Sequence, residues 1–268
     1  VSILSLVLRN IFSKPKESPK SDNTFVVTPF HEQELIEHTK IVHDAFPGPS
    51  YYEWLQWFHH FVKPNLYLEI GIETGKALAF ANPPTLAIGV DPNYKISHNF
   101  KAATKLYKLP SDSFFSDVDL NEAFDHQKID MAFIDGLHTF DQALMDFINV
   151  ERNAHRDTIV LFHDVIPVIP ETANRERSTY FWVGDTWKVL IVLKKYRPDL
   201  KLMAIPTLHS GLGVASRLDP SSNILFDNYD EIVAEAMSYQ LSDYLPTLRT
   251  TINTSENDFE KVALALNS

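Results

Sequence analysis

Tyr67-Leu-Glu-Ile-Gly-Ile-Glu-Thr-Gly75 decides the fold of this 268-residue chain. A short apolar run, Leu66 to Ile70, carries one acid, Glu69, and then meets Gly71 and Gly75. A buried parallel strand passes into its crossover connection in this way, because Gly71 lets backbone approach a ligand and Gly75 permits the turn. Further short apolar runs lie at Thr85 to Val90, Thr104 to Leu109, Ile129 to Ile134 and Thr158 to Phe162. Helical stretches are predicted between them, near Lys76 to Ala81, Ser97 to Ala103, Leu120 to Phe124 and Phe140 to Ala154. Strand and helix alternating in this order specify an α/β fold with a doubly wound, mostly parallel sheet. Lys201 to Pro206 and Gly213 to Ser216, joined by a short loop with Gly211, predict an antiparallel hairpin at the sheet edge.

Upstream, apolar residues recur at helical spacing from His31 to Phe46 and from Ser50 to Val62, with Pro47-Gly48-Pro49 between the two runs. Val1 to Phe12 is apolar but interrupted, too short to span a bilayer, and unlike a signal peptide. It is expected to be a docking helix, followed by a linker from Lys14 to Asn23. The expected organisation is an N-terminal segment with helices over 1–63, a ligand-binding core over 64–217 with a lid at about 165–185, and a helical extension over 218–268.

Composition narrows the partners. A chain that is 44% hydrophobic with only 8 glycines encloses a large core. Lys+Arg 24 against Asp+Glu 35 gives a net charge of −11, which repels nucleic acid and anionic membrane surfaces. The absence of cysteine removes disulfides, thiolate nucleophiles and Cys-ligated metals, and it fits a cytoplasmic setting. Asn253-Thr-Ser is formally a glycosylation sequon, of a length that recurs by chance. The partner expected is a small-molecule acceptor, with no membrane span; a homo-oligomer is compatible with the sequence.

Asp91 follows the second strand, one βαβ unit after Glu69, where a carboxylate can accept hydrogen bonds from both hydroxyls of a ribose. A dinucleotide site would more often show G-x-G-x-x-G, and Glu73 is hostile to a pyrophosphate. A cofactor carrying a sulfonium and an ammonium group tolerates carboxylates. Glu69-x-Gly71-x-x-x-Gly75 with Asp91 resembles the S-adenosylmethionine site of class I methyltransferases. Two alternatives stand beside it. A nicotinamide-dependent oxidoreductase could use the same glycines and Asp91, although the chain lacks a Tyr-x-x-x-Lys pair; a noncatalytic protein could retain the pocket.

Phe133-Ile-Asp-Gly-Leu-His138 and Leu161-Phe-His-Asp164 end the fourth and fifth strands on the same ligand-binding edge. Adjacent strand ends can bring Asp135, Asp164 and His163 to one divalent ion, and carboxylate ligands favour Mg²⁺ or Mn²⁺ over zinc. His138, across a glycine-containing turn from Asp135, is placed to act as a base. Each residue alone also has a structural reading, as a helix cap or a hydrogen-bonding histidine.

These segments, with Ser111-Asp-Ser-Phe-Phe115, Trp182-Val-Gly-Asp-Thr-Trp-Lys188 and Ser210-Gly-Leu-Gly213, are similar over residues 64–217 to a bacterial family of class I methyltransferases. That family is related to the macrocin- and mycinamicin-type sugar O-methyltransferases. The resemblance implies a Rossmann-like methyltransferase fold and S-adenosylmethionine-dependent methylation of a sugar or other small-molecule hydroxyl, assisted by a divalent metal. It places Glu69, Gly71 and Gly75 at the amino-acid end of the cofactor, Asp91 at the ribose, and Asp112 with Ser113 around the adenine. Asp135, His163 and Asp164 match its metal ligands, and His138 and Asp135 its catalytic pair. His163 departs from the acid more usual at its position, and His155-Arg-Asp157 replaces a Gly-Gly turn. Gly184, Asp185, Trp187 and Lys188 could define a substrate or lid motif, with Trp187 as an anchor and Lys188 as a solvated charge the structural reading preferred; Arg175 and Arg177 could contact an acidic or sugar substrate but are expected to be solvated.

Overall fold

The computed structural model describes residues 29–268, so the docking helix and linker expected within 1–23 lie outside the described residues. Two helices, α1 (Pro29–Ala45) and α2 (Tyr51–Val62), precede the sheet. A reciprocal Ser50/Glu53 cap starts α2, satisfying backbone N–H groups that have no partner within the helix. The strands are β1 (Leu66–Ile70), β2 (Leu86–Val90), β3 (Ala103–Tyr107), β4 (Ile129–Ile134), β5 (Ala154–His163), β6 (Lys201–Ile205) and β7 (Leu212–Ser216). They form one sheet in the order β3-β2-β1-β4-β5-β7-β6. β1 to β5 pair in parallel, while β7 lies antiparallel between β5 and β6, leaving β6 at the edge.

Alternate strand residues bury on opposite faces. Tyr67, Phe133 and Leu161 meet Trp54, Leu55 and Phe58 of α2 on one side. Leu68, Ile134 and Phe162 meet α5 (Phe140–Arg152) and α6 (Lys188–Tyr196) on the other. Both faces of the parallel strands are thereby covered, which accounts for their continuous hydrophobicity. The short helices α3 (Ser111–Asp117) and α4 (Leu120–Ala123) sit between β3 and β4. Helices α7 (Ile224–Asp227), α8 (Tyr229–Met237), α9 (Leu241–Tyr244), α10 (Leu248–Thr251) and α11 (Phe259–Asn267) follow β7. No helix among the described residues is long and apolar enough to cross a membrane.

Two predicted helices are not formed. Lys76 to Ala81 holds only a 3-10 turn, Leu78–Phe80, because Pro83-Pro84 leaves too little chain to nucleate a helix. Ser97 to Ala103 is irregular because it is tied to the glycine turn: Lys95 N–H donates to Glu73 O and Ser97 N–H to Thr74 O. Conversely, Ser111–Asp117 is a helix in a stretch for which no element is predicted. β5 starts four residues before the predicted Thr158, with Ala154 pairing to Ile129 and the His155 ring 2.8 Å from Asp130 Oδ1.

Candidate active site

The strand order reverses at β1, with β2 on one side and β4 on the other. Open α/β sheets bind ligands at such a point, beyond the strands' carboxyl ends. Here Gly71 N–H donates to Val90 O at 2.9 Å and Asp135 N–H donates to Ile70 O at 2.8 Å, tying the ends of β1, β2 and β4 together. Gly71 has φ +83°, and a Cβ on it would lie 2.0 Å from the Asp135 carbonyl oxygen. Only glycine fits where the two strand ends approach so closely.

Asp91 accepts from Ile72 N–H at 3.0 Å and Glu73 N–H at 2.9 Å on one oxygen, and from Asn93 N–H at 2.6 Å on the other. The remaining lone pairs can still serve a ribose. From α3, Ser111 and Asp112 reach the same cavity, and Gln142 Nε2 bridges Asp112 Oδ1 at 3.0 Å to Asp146 Oδ1 at 3.1 Å. Burial pushes the Asp146 carboxyl up to about 7. Ser113 is not among the cavity-lining residues. Glu69 is buried beneath the turn, where Tyr67 O–H donates to it at 2.6 Å and burial pushes its carboxyl up to about 8. Gly75, at φ +79°, packs on Phe100 and Ile96. Gly71, Asp91 and Asp112 therefore face the cavity, while Glu69 and Gly75, expected to contact the cofactor, do not line it.

The acidic half adjoins directly. His138 Nδ1 lies 3.1 Å from Asp164 Oδ2 and its Nε2 3.4 Å from Asp135 Oδ1. His163 Nδ1 lies 3.2 Å from Asp135 Oδ1 and 3.4 Å from Asp164 Oδ1. Ser210 Oγ donates to Asp164, and the His138 ring stacks on Trp182 at 5.3 Å. Burial disfavours charge on either imidazole, yet Asp164 and Asp135 raise both, His138 to about 9 and His163 well above its ordinary value. Burial alone would raise the Asp135 carboxyl, but His163 and His138 hold it well below its usual range. As it stands, His138 is a cation between carboxylates; acting as a base requires its neutral form.

Asp135, His138 and Asp164 place one ligand atom each within 4.8 Å of one another, a set that includes His138 rather than His163. Asp164 Oδ2 is buried and, although His138 Nδ1 is 3.1 Å away, the two are not aligned for a hydrogen bond; His163 Nε2 is likewise buried without one. Two carboxylates and an imidazole suit a hard divalent cation. The donor set therefore fits Mg²⁺ or Mn²⁺.

Several site residues escaped the sequence reading. Tyr51 of α2 stacks on His163 with ring centroids 4.3 Å apart. Gly184 approaches the His138 carbonyl so closely that a Cβ would lie 1.8 Å from that oxygen, and Asp185 accepts from Phe140 N–H at the start of α5. The Gly184-Asp185 motif was visible; its job of seating the His138 turn was not. Trp187 is buried, as expected of an anchor, but Lys188 is buried too, 3.2 Å from Asp185, and is not the solvated charge expected. Arg175 pairs with Asp141 at 2.8 Å, and Arg177 donates to the backbone carbonyls of Thr179 and Tyr180, so neither is simply solvated.

In sequence, no curated protein matches the chain. Among solved structures it is similar to the O-methyltransferase TomG from Streptomyces achromogenes, involved in tomaymycin synthesis and solved with SAM. That likeness has 12% identity and a TM-score of 0.48, covering 81% of this chain and 96% of that one. It is also similar to an O-methyltransferase from Bacillus cereus in complex with SAH, at 15% identity and a TM-score of 0.46, covering 73% and 93%. The SAH-bound methyltransferase PaMTH1 from Podospora anserina gives 17% identity and a TM-score of 0.45, covering 69% and 88%. At such identities those proteins' substrates remain their own. Residues 68–165 match the family described as "Methyltransferase domain", a stretch from the third residue of β1 to just past Asp164. The matched stretch spans β1 to β5 and includes the strand ends that carry Gly71, Asp91, Asp135 and Asp164.

Proposed function

We propose that the protein transfers the methyl group of S-adenosylmethionine to a hydroxyl of a small-molecule acceptor, a sugar or glycoside, with Mg²⁺ or Mn²⁺ at the acidic strand ends. One observation carries this reading: a single cavity of about 550 Å³ runs from Gly71, Asp91 and Asp112 to Asp135, His138 and Asp164. A cofactor seated on the first group has its reactive end beside the second. In this reading residues 64–217 form the catalytic core, 165–185 its lid and 218–268 a helical extension.

Gly71 admits the cofactor to the backbone, Asp91 takes the ribose hydroxyls, and Asp112 borders the adenine, with Ser111 beside it in place of the expected Ser113. Glu69 and Gly75 hold the turn in shape. Asp135 and Asp164, with His138 or His163, would hold the cation, which when bound lowers the pKa of a coordinated hydroxyl. His138, in its neutral form, accepts the acceptor's proton, and Trp182 fixes its ring. Phe181 and Trp182 line the acceptor end of the cavity and offer aromatic faces for the C–H edges of a sugar ring. Methyl transfer then depends on in-line alignment within a site sheltered from water.

S-Adenosylhomocysteine at ~100 times its Kd should stabilise the protein by ~2.7 kcal/mol, read as a rise in Tm. Asp91→Ala should weaken that binding ~10- to 100-fold, the worth of hydrogen bonds to a charged group. Stabilisation by NADH and not by S-adenosylhomocysteine would replace this reading with the oxidoreductase.

Asp135→Asn and Asp164→Asn should each lose Mn²⁺ binding in calorimetry while keeping the stabilisation by S-adenosylhomocysteine, because the two half-sites use different side chains. Full turnover by a verified metal-free enzyme would remove the cation from the reaction and leave proton removal to the histidines.

A further inference from the structure

A second cavity, of about 540 Å³, opens at the opposite edge of the sheet, where Pro64 leads into β1 and Thr85 into β2. His59, His60, Lys63 and Lys101 line it, with the amides of Gln56 and Asn82, and none of the described residues lining it is acidic. In a chain of net charge −11 that is a local reversal of sign. Basic residues at the end of α2 have an ordinary explanation, since cations complement the negative end of a helix dipole. That explanation covers His60 and Lys63. It does not cover Lys101, which comes from the loop before β3, nor the state of His59.

His59 is only 8% exposed, and both its ring nitrogens are buried without a hydrogen-bond partner. Its ring stands edge-on to Tyr67, with centroids 4.5 Å apart, so it is anchored on one side and lines the cavity on the other. Buried polar groups in native proteins almost always find a partner, and an imidazole with neither nitrogen used marks a place where one is missing. Burial alone disfavours a charged His59; an anion beside it would reverse that.

We propose that this cavity is a binding site for a phosphate group, free or as the phosphomonoester of a small metabolite, held by His59, Lys63 and Lys101 apart from the methyl-transfer site. A compact dianion gathers several point charges at once. The two lysines supply them, and the imidazole donates one N–H to a phosphate oxygen. The volume lies within the ~300–1,000 Å³ range of small-molecule sites. That leaves room beside the phosphate for an organic part, with Gln56 and Asn82 at hand to hydrogen-bond it.

The test titrates inorganic phosphate, and separately ribose 5-phosphate, into the full chain at constant ionic strength. Binding is followed by calorimetry and by the ring signals of His59 in NMR spectra. Binding with a shift of the His59 signals is expected, weakened ~10-fold or more in Lys63→Gln/Lys101→Gln, since each charge-assisted hydrogen bond is worth about that factor. His59→Phe keeps an aromatic ring against Tyr67 and should also lose the site. In all these variants the stabilisation by S-adenosylhomocysteine should stay at the wild-type value. Equal affinity for both probes would define a site for the phosphate group alone, and tighter binding of the ester would add recognition of the organic part. The proposal is overturned if neither probe binds, if the lysine variant binds as tightly as wild type, or if S-adenosylhomocysteine displaces the phosphate.

Discussion

His138→Ala should lower turnover by ~10²–10⁴-fold, the usual cost of losing a general base, while the affinity for S-adenosylhomocysteine stays nearly constant. Proton removal belongs to the transition state, whereas the cofactor is held through the ends of β1 and β2. The same imidazole lies 3.1 Å from Asp164 and 3.4 Å from Asp135, so it is equally placed to be a metal ligand. The two roles separate on Mn²⁺ affinity. As a base alone, His138 leaves Mn²⁺ binding intact or tighter on removal, because a positive charge has left the two carboxylates, and excess Mn²⁺ does not restore turnover. As a ligand, it weakens Mn²⁺ binding on removal, and excess Mn²⁺ recovers part of the rate. Unchanged turnover in the variant would make His138 structural and move the search for a base to His163, whose buried Nε2 has no partner.

What could be read from the sequence follows from the range of the interactions involved. β1, its two glycines and Asp91 were legible because a buried strand, a tight turn and the next strand end form one contiguous pattern. The ends of β4 and β5 were legible for the same reason, and parallel register then set Asp135 level with His163, with Asp164 one residue beyond the end of β5. The failures lie where distant chain decides local structure. Ser97 to Ala103 has the composition of a helix, but Lys95 N–H donates to Glu73 O, Ser97 N–H donates to Thr74 O, and Phe100 packs on Gly75. The stacking of Tyr51 on His163, the carbonyl of Trp182 beside His138 Nδ1 and the cap that Asp185 supplies to α5 join residues tens of positions apart. No spacing rule reaches that far. Glu69 shows the converse limit: its position in the motif was legible, but not that Tyr67, two residues earlier on the same strand face, would engage it away from the cavity.

Gly71→Ala should abolish cofactor binding and destabilise the fold, and comparison with Gly75→Ala separates the two reasons for a glycine. Both residues have φ near +80°, so alanine at either costs ~1–3 kcal/mol for left-handed backbone. At Gly75 the added Cβ meets the ends of the Phe100 and Ile96 side chains at 3.0 and 3.1 Å, which can shift by a few tenths of an ångström. At Gly71 it would meet backbone: the Asp135 carbonyl oxygen at 2.0 Å, its carbon at 2.5 Å and Gly136 Cα at 2.9 Å. Relief there requires the end of β1 to separate from the end of β4, breaking the 2.8 Å hydrogen bond from Asp135 N–H to Ile70 O. Asp135 moves with it, so Mn²⁺ binding should fail together with cofactor binding in Gly71→Ala. Gly75→Ala should fold with a lower Tm and keep both ligands at reduced affinity. Equal losses in the two variants would mean that only the handedness of the turn matters, and that the close approach of β1 to β4 does not link the cofactor half of the cavity to its acidic half.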